Sequence, residues 1–207
     1  MAIFSRAFAG QPDLVELSPA ARRVLAGSAA LFFERGAADT SVRDLTRACG
    51  LSPGALYNHF PSKDELLFTL VRHGHERMLR RIGAAVEPVA DRPTEAYAAF
   101  VHGYVLGHVE QPELAQVVRR EYLHLSPQRY QQIVEVRRSV RRLLTRLVQA
   151  GADAGEFSLI GDPVATSLMV LDMCSRTSDW FHRAGESDAS GIAQRYVEAA
   201  MRLAGVS

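Results

Sequence analysis

The sequence has few cysteines and lacks long hydrophobic runs. Its 207 residues contain two cysteines, Cys49 and Cys174, which are far apart and have neither the spacing of a zinc site nor that of a secreted disulfide framework. No apolar run approaches the length of a membrane span, and the N-terminal stretch is interrupted too early for a signal peptide. We therefore expect a cytoplasmic protein with no bound metal and no cofactor.

Patterns typical of β-strands are nearly absent as well. Apolar residues instead recur at spacings of three and four almost throughout the chain, which is the period of a helix that buries one face. Apolar residues make up 47% of the chain and charged residues 23%, as in an ordinary globular protein. The sequence predicts an all-α fold of about nine helices, in which a small three-helix unit precedes a larger bundle.

Serine or aspartate next to proline marks several predicted helix starts. Such a side-chain oxygen can accept a hydrogen bond from an unpaired backbone amide, and proline suits the first helical turn. The predicted helices cover residues 19–36, 41–49, 53–59, 63–87, 93–110, 112–124, 127–152, 162–183 and 188–204. The sequence leaves open whether residues 1–17 form an ordered arm or a flexible end.

A helix-turn-helix pattern is the main functional clue. Two short predicted helices between residues 42 and 60 are joined by the three residues Gly50, Leu51 and Ser52, as in DNA-binding motifs of this type. Small residues at the start of the second helix would let its backbone approach the major groove, and the polar residues that follow offer hydrogen-bond donors. The pattern indicates a DNA-binding protein.

The segments LFFERG, TSVRDL, CGLS, GALYNHF and SKDELL occupy residues 31–36, 40–45, 49–52, 54–60 and 62–67. In this order they resemble the N-terminal domain of TetR-family transcriptional regulators. The resemblance implies a DNA-binding domain over residues 15–68, with its motif at 41–60, and an effector-binding and dimerisation domain over residues 69–207. It also implies a homodimeric repressor that binds a palindromic operator in double-stranded DNA and is released by a small molecule.

Eleven residues are candidates for contact with DNA, and the resemblance gives a role to most of them but not to Asn58, which is a further candidate for reading a base. They are Thr40, Ser41, Arg43, Ser52, Pro53, Gly54, Ala55, Tyr57, Asn58, His59 and Lys63. Residues at the start of the second helix of the motif would face base edges, whereas Tyr57, His59 and Lys63 would hold phosphates. Pro53 stands where many relatives carry lysine. The alternative for Tyr57 and His59 is that both rings pack in the three-helix core.

The C-terminal part is similar to TetR-family regulators that respond to acyl-coenzyme A thioesters in fatty-acid or steroid breakdown. The similarity lies in residues 119–125, 155–157, 162–163, 179–181 and 192–196. It implies an apolar acyl pocket with arginines at the phosphates of coenzyme A. The candidate ligand-binding residues are Phe100, Tyr104, Val118, Arg119, Arg120, Tyr122, Met173, Arg176 and Trp180. The alternative effector is another hydrophobic or drug-like compound.

Other features bear on packing and on the competing classes of function. Gly103 and Gly107 lie inside a predicted helix, where they indicate room for a neighbouring helix or for a ligand. The last two predicted helices would form the dimer interface by resemblance to the family. An enzyme is not expected, because the chain lacks a nucleophile elbow, a phosphate-binding loop and metal-spaced histidines. A helical adaptor that binds protein through its first three helices remains the alternative class.

Overall fold

The computed structural model describes residues 17–181 and 188–206. Within these ranges the chain forms helices and no strand, which confirms the predicted all-α class. The question of an N-terminal arm falls on residues that, apart from Leu17, lie outside the described ranges. The same holds for the end of the predicted helix at residues 182–183.

Ten α-helical segments account for most of the described residues. They are α1 (Pro19–Arg35), α2 (Val42–Cys49), α3 (Pro53–Tyr57), α4 (Lys63–Val86), α5 (Pro93–Val109), α6 (Pro112–Glu121), α7 (Pro127–Asp153), α8 (Pro163–Ser175), α9 (Thr177–Trp180) and α10 (Ala189–Leu203). The nine predicted helices become ten because a break at Arg176 separates α8 from α9. Short 3-10 turns at Glu87–Val89 and Tyr122–His124 follow α4 and α6.

Side-chain caps begin helices where the sequence predicts them. Ser18 Oγ accepts a hydrogen bond from the backbone amide of Ala21 at 3.1 Å, and Asp162 Oδ1 accepts one from the amide of Val164 at 2.8 Å. Gly36 ends α1 with a φ angle of +83°, a backbone conformation that residues other than glycine rarely adopt. Local sequence signals therefore fix these helix ends.

One compact unit contains the described residues through His75 together with Glu113–Val134. Apolar side chains of α1, α2, α3 and the first half of α4 form its core, and α6 and the start of α7 share it. Its largest fully buried side chains are Phe32, Leu25, Leu45, Leu66, Leu70 and Ile133. Because Glu113–Val134 packs in this core, the unit extends beyond the predicted DNA-binding domain of residues 15–68. The division into a DNA-binding and an effector-binding domain after residue 68 stays a prediction.

The second unit contains Glu76–Pro112 and the described residues from Glu135 onward. Helix α5 is central to it and contacts α8, α9 and α10. Tyr97 of α5 is fully buried, and its hydroxyl donates a hydrogen bond to the carbonyl oxygen of Ala200 at 3.0 Å. This bond satisfies the buried hydroxyl, while burial raises the pKa of Tyr97 well above its usual value.

Gly103 and Gly107 let α5 approach the second half of α4. A Cβ atom at Gly107 would lie 2.5 Å from Cε of Met78, and one at Gly103 would lie 3.5 Å from Cβ of Ala85. The space that the sequence indicates beside these glycines is therefore filled by a neighbouring helix.

Candidate nucleic-acid interface

Helices α2 and α3 form the predicted helix-turn-helix. Gly50 ends α2 in the left-handed conformation, with φ +65° and ψ +35°, and Leu51 N donates to the carbonyl oxygen of Thr46 at 2.9 Å. Ser52 then caps α3 by accepting a hydrogen bond from the amide of Ala55 at 3.2 Å. These local bonds turn the chain within three residues and leave the first turn of α3 at the surface.

Buried apolar side chains hold both helices of the motif against the rest of their unit. Leu45 of α2 is fully buried, and Leu56 and Phe60 are each 3% exposed. The first and last of these side chains are fifteen positions apart in sequence and share one core with α1 and α4. The opposite side of the motif is therefore free to present polar residues.

Most of the candidate DNA residues lie on that exposed side. Ser41, Arg43, Ser52, Pro53, Gly54, Tyr57 and Asn58 are exposed, and Ala55 and His59 are half-buried. Tyr57 retains 47% of its accessible surface, so its ring does not fill the core. The start of α3 therefore offers small, exposed residues, which is the arrangement that a close approach to the major groove requires.

Two candidate residues instead make well-defined bonds inside the protein. Thr40 is 1% exposed, and its hydroxyl donates to the carbonyl oxygen of Gly36 at 2.7 Å. Lys63 Nζ donates to the carbonyl oxygens of Ala37 at 2.8 Å and of Thr40 at 3.0 Å. The resemblance implies that both residues contact DNA, and this stays a prediction. The resemblance does not indicate the hydrogen bonds that both residues make within the protein.

Sequence reasoning also missed Glu121. This carboxylate is 6% exposed, and its Oε2 accepts a hydrogen bond from the backbone amide of Ala37 at 2.7 Å. The residue lies within the segment 119–125 that carries the second resemblance, but nothing in its local sequence indicates a partner 84 positions away.

A capping box stabilises the start of α2. Ser41 Oγ accepts from the amide of Asp44 at 3.2 Å, and Asp44 Oδ2 accepts from the amide of Ser41 at 3.0 Å. Hydrogen bonds from the hydroxyl and then the amide of Ser41 hold the pKa of Asp44 below its usual value. The carboxylate therefore remains ionised at neutral pH and lies next to exposed Arg43 and Arg47 of the same helix.

The candidate ligand-binding residues divide between the two units. In the second unit the rings of Phe100 and Tyr104 stack with centroids 5.8 Å apart, and Met173 and Trp180 are half-buried beside the same core. Arg176 is exposed, and its guanidinium lies 3.7 Å from Asp179 Oδ2. An aromatic cluster is thus present in this unit, while Arg176 is turned toward acidic neighbours.

The other four candidates lie in the first unit. Val118 is 7% exposed and packs against Gly74 of α4. Tyr122 stacks on Tyr130 with ring centroids 5.7 Å apart, while Arg119 is half-buried and Arg120 is exposed. These side chains follow one another along α6 and the turn after it.

None of the helices in residues 17–181 and 188–206 combines the length and apolar character that crossing a membrane requires. In the same ranges no group of three or more histidine, cysteine, aspartate or glutamate side chains is arranged to hold a metal ion.

Comparison with known proteins assigns the family. The family model described as bacterial regulatory proteins, tetR family, matches residues 24–70, and the one described as tetracyclin repressor-like, C-terminal domain, matches residues 90–204. A bacterial regulatory protein in the tetR family from Rhodococcus RHA1 is 34% identical, with a TM-score of 0.86 over 92% of this chain and 99% of that one.

Two further relatives agree. The transcriptional repressor KstR2 of Mycobacterium tuberculosis is 26% identical over 183 residues, which are 87% of this chain and 89% of that protein. AibR in complex with isovaleryl coenzyme A and operator DNA shares the fold, with a TM-score of 0.78, 21% identity, and coverage of 87% of this chain and 97% of that one. This chain therefore belongs to the TetR family of transcriptional regulators.

Proposed function

We propose that this TetR-family regulator is a homodimeric repressor that binds a palindromic operator and is released by an acyl-coenzyme A thioester. The observation that carries the DNA-binding part is the first turn of α3, which is exposed, capped by Ser52 and built from small residues. In a dimer the two such helices would need a separation of about 34–36 Å to enter successive major grooves on one face of DNA.

An exposed apolar face on α8 supports the dimer. Val164, Leu168 and Met169 each retain 45–48% of their accessible surface. Val164 and Leu168 are four positions apart and so lie on one side of the helix, and Met169 follows Leu168 at the edge of that side. Large apolar side chains grouped in this way commonly mark a protein interface. Helix α10, which contacts α8 within the unit, would supply the second half of the interface.

Similarity to two proteins supports the choice of effector. KstR2 is described as a ketosteroid transcriptional regulator, and the AibR structure shows that a protein of this fold can hold an acyl-coenzyme A together with operator DNA. Half-buried Tyr104, which stacks on the fully buried ring of Phe100, would contribute apolar surface to an acyl group. The runner-up is a hydrophobic effector without coenzyme A, which the same aromatic cluster would accommodate.

Binding to DNA is tested by fluorescence anisotropy on the fragment upstream of the protein's own gene, over a salt series. We expect Arg43→Gln to weaken binding and to lower the slope of log affinity against log salt by about 0.9, because one phosphate contact is lost. Arg146→Gln, which changes an exposed arginine of α7, should leave both values unchanged. Equal effects of the two variants would contradict the proposed interface.

The effector is tested by calorimetry with acyl-coenzyme A compounds of increasing chain length and with steroid-derived acyl groups. Free coenzyme A and the free acids serve as controls. Saturable binding of a thioester that also releases the DNA fragment is the expected result, because an effector shifts the protein toward the state that it prefers. Release by free hydrophobic acids alone would favour the runner-up. Tight thioester binding with unchanged DNA affinity would contradict the release mechanism.

A further inference from the structure

The turn between α1 and α2, which consists of residues Gly36–Thr40, is held from two sides by charged groups. From one side Glu121 at the end of α6 accepts the amide hydrogen of Ala37 at 2.7 Å. From the other side Lys63 at the start of α4 donates to the carbonyl oxygens of Ala37 at 2.8 Å and of Thr40 at 3.0 Å. We call these three bonds the turn clamp.

The bond to Glu121 is shielded from water, which strengthens it, whereas Lys63 is half-buried. Ala37 and Thr40 are each 1% exposed, and Glu121 is 6% exposed. Hydrogen bonds with one ionised partner are about twice as strong as those between neutral groups, and a buried charge without a partner is costly. Removal of either charged group therefore leaves buried backbone groups of the turn without their partners.

Besides the clamp, the turn is fixed by two bonds of its own, of which the shorter runs from the hydroxyl of Thr40 to the carbonyl oxygen of Gly36 at 2.7 Å. Its own backbone bond, from the amide of Thr40 to the carbonyl oxygen of Ala37, is long at 3.4 Å. Helix α2 begins two residues after Thr40, with Ser41 as its cap. The direction in which the chain leaves the turn is therefore also the direction in which α2 enters the helix-turn-helix.

We propose that Lys63 and Glu121 are positioning residues that hold α2 in the orientation required for operator binding. This inference deepens the proposed function and rests on it, because operator affinity is one of its readouts. It assigns Lys63 an action through the protein backbone in place of the phosphate contact that the family resemblance implies. It gives Glu121, for which the sequence indicates no role, a part in DNA binding without contact to DNA.

The salt dependence of operator binding distinguishes a positioning role of Lys63 from a direct phosphate contact. We expect Lys63→Met to weaken operator binding at least tenfold while the slope of log affinity against log salt stays as in the wild type. Arg43→Gln provides the comparison, because loss of a phosphate contact lowers that slope by about 0.9. A slope for Lys63→Met that falls as it does in Arg43→Gln would overturn the proposal, and so would unchanged affinity.

The role of Glu121 is tested first without DNA. Hydrogen exchange, followed by mass spectrometry on the full chain, should be faster in the peptide covering residues 36–49 for Glu121→Ala, while Glu121→Gln, which keeps an acceptor oxygen, should give an intermediate rate. The control is Glu110→Ala, whose carboxylate pairs with Arg81 in the second unit and should leave that peptide unchanged.

Operator binding is then measured on the same variants. Glu121→Ala should bind at least tenfold more weakly, with an unchanged salt slope and with partial recovery in Glu121→Gln. Wild-type exchange in residues 36–49 would overturn the clamp, and faster exchange with wild-type operator affinity would overturn its positioning role. If the wild type binds no operator, the proposed function fails, whereas the exchange result still decides whether the clamp exists.

Discussion

Gly74 lies where α4 and α6 approach each other within the first unit. A Cβ atom at this position would lie 2.4 Å from Cγ2 of Val118, a separation that packed side chains do not tolerate. Gly83 lies on the same helix, and nothing stands within 4 Å of a Cβ atom there. The two glycines have the same backbone conformation but opposite steric surroundings.

We predict opposite effects of alanine at these two positions. Gly74→Ala should lower the free energy of unfolding by about 1–3 kcal/mol, because the added methyl group overpacks a tight contact. Gly83→Ala should raise it by up to about 1 kcal/mol, since alanine is the better helix former. Urea denaturation of both variants provides the measurement, and a stabilised Gly74→Ala protein would contradict the close helix contact.

Asp44 predicts a pH dependence in the helix-turn-helix. Because hydrogen bonds from Ser41 hold its pKa below the usual value, its contribution to stability is fully present above the unfolded pKa of about 3.9 and is lost as pH falls through the lower folded pKa. The protection factors of the α2 amides, which compare exchange with that of an unfolded chain at the same pH, should therefore fall at acid pH. Asp44→Asn should show fast exchange already at neutral pH, and a variant as well protected as the wild type would refute the cap's contribution.

Among the helices, hydrogen bonds and ion pairs connect the start of α7 with the start of α4. Asp64 Oδ1 accepts from the amide of Ser126 at 3.0 Å, and Asp64 Oδ2 accepts from Arg129 Nη1 at 2.7 Å. The same guanidinium pairs with Glu65 and lies 5.4 Å from the centre of the Phe68 ring. Several partly buried contacts therefore converge on one arginine.

Loss of this arginine should cost more than loss of an exposed one on the same helix. We expect Arg129→Ala to lower the free energy of unfolding by about 1–2 kcal/mol, a value reduced for the partial exposure of the pairs. Arg138→Ala breaks a pair with Glu135 in which both side chains are 52% exposed and should change it by less than about 0.5 kcal/mol. Equal losses in thermal or urea denaturation would contradict this difference.

At the level of the whole molecule, the exposed apolar face of α8 is the proposed dimer interface. Leu168 is 46% exposed within that apolar face, whereas Leu123 is 61% exposed on a 3-10 turn of the first unit. A charge introduced at the first position would be buried in the proposed interface, at high cost. A charge at the second would stay in water.

Leu168→Glu should therefore dissociate the dimer, and Leu123→Glu should not. We expect the dissociation constant of the dimer to rise at least tenfold for the first variant, as measured by size-exclusion chromatography with light scattering over a range of concentrations. Affinity for a palindromic operator should fall when the dimer dissociates, because two linked DNA-binding domains bind more tightly than one. If the Leu168→Glu dimer has the same dissociation constant as the wild type, the interface lies elsewhere.

Much of the fold and of the exposed motif follows from local signals. Ser52 and Pro53 start α3, and Gly50 ends α2, because caps and a left-handed glycine act over a few neighbouring residues. The order of these signals was sufficient to recognise the family. In contrast, the burial of Thr40 depends on the packing of the turn that precedes α2, which no local pattern shows.

The sequence was sufficient to predict most of the helices, several of their caps and the family, since each rests on short-range hydrogen bonds or on an ordered motif, but it did not predict the break at Arg176. Tertiary structure alone decided that Glu121 meets Ala37 and that Lys63 binds two backbone carbonyls. It also decided that α4 fills the space beside Gly107. The physical reason is that partners distant along the chain are brought together by burial of a shared core, and helical periodicity indicates which face is buried but not which groups meet there.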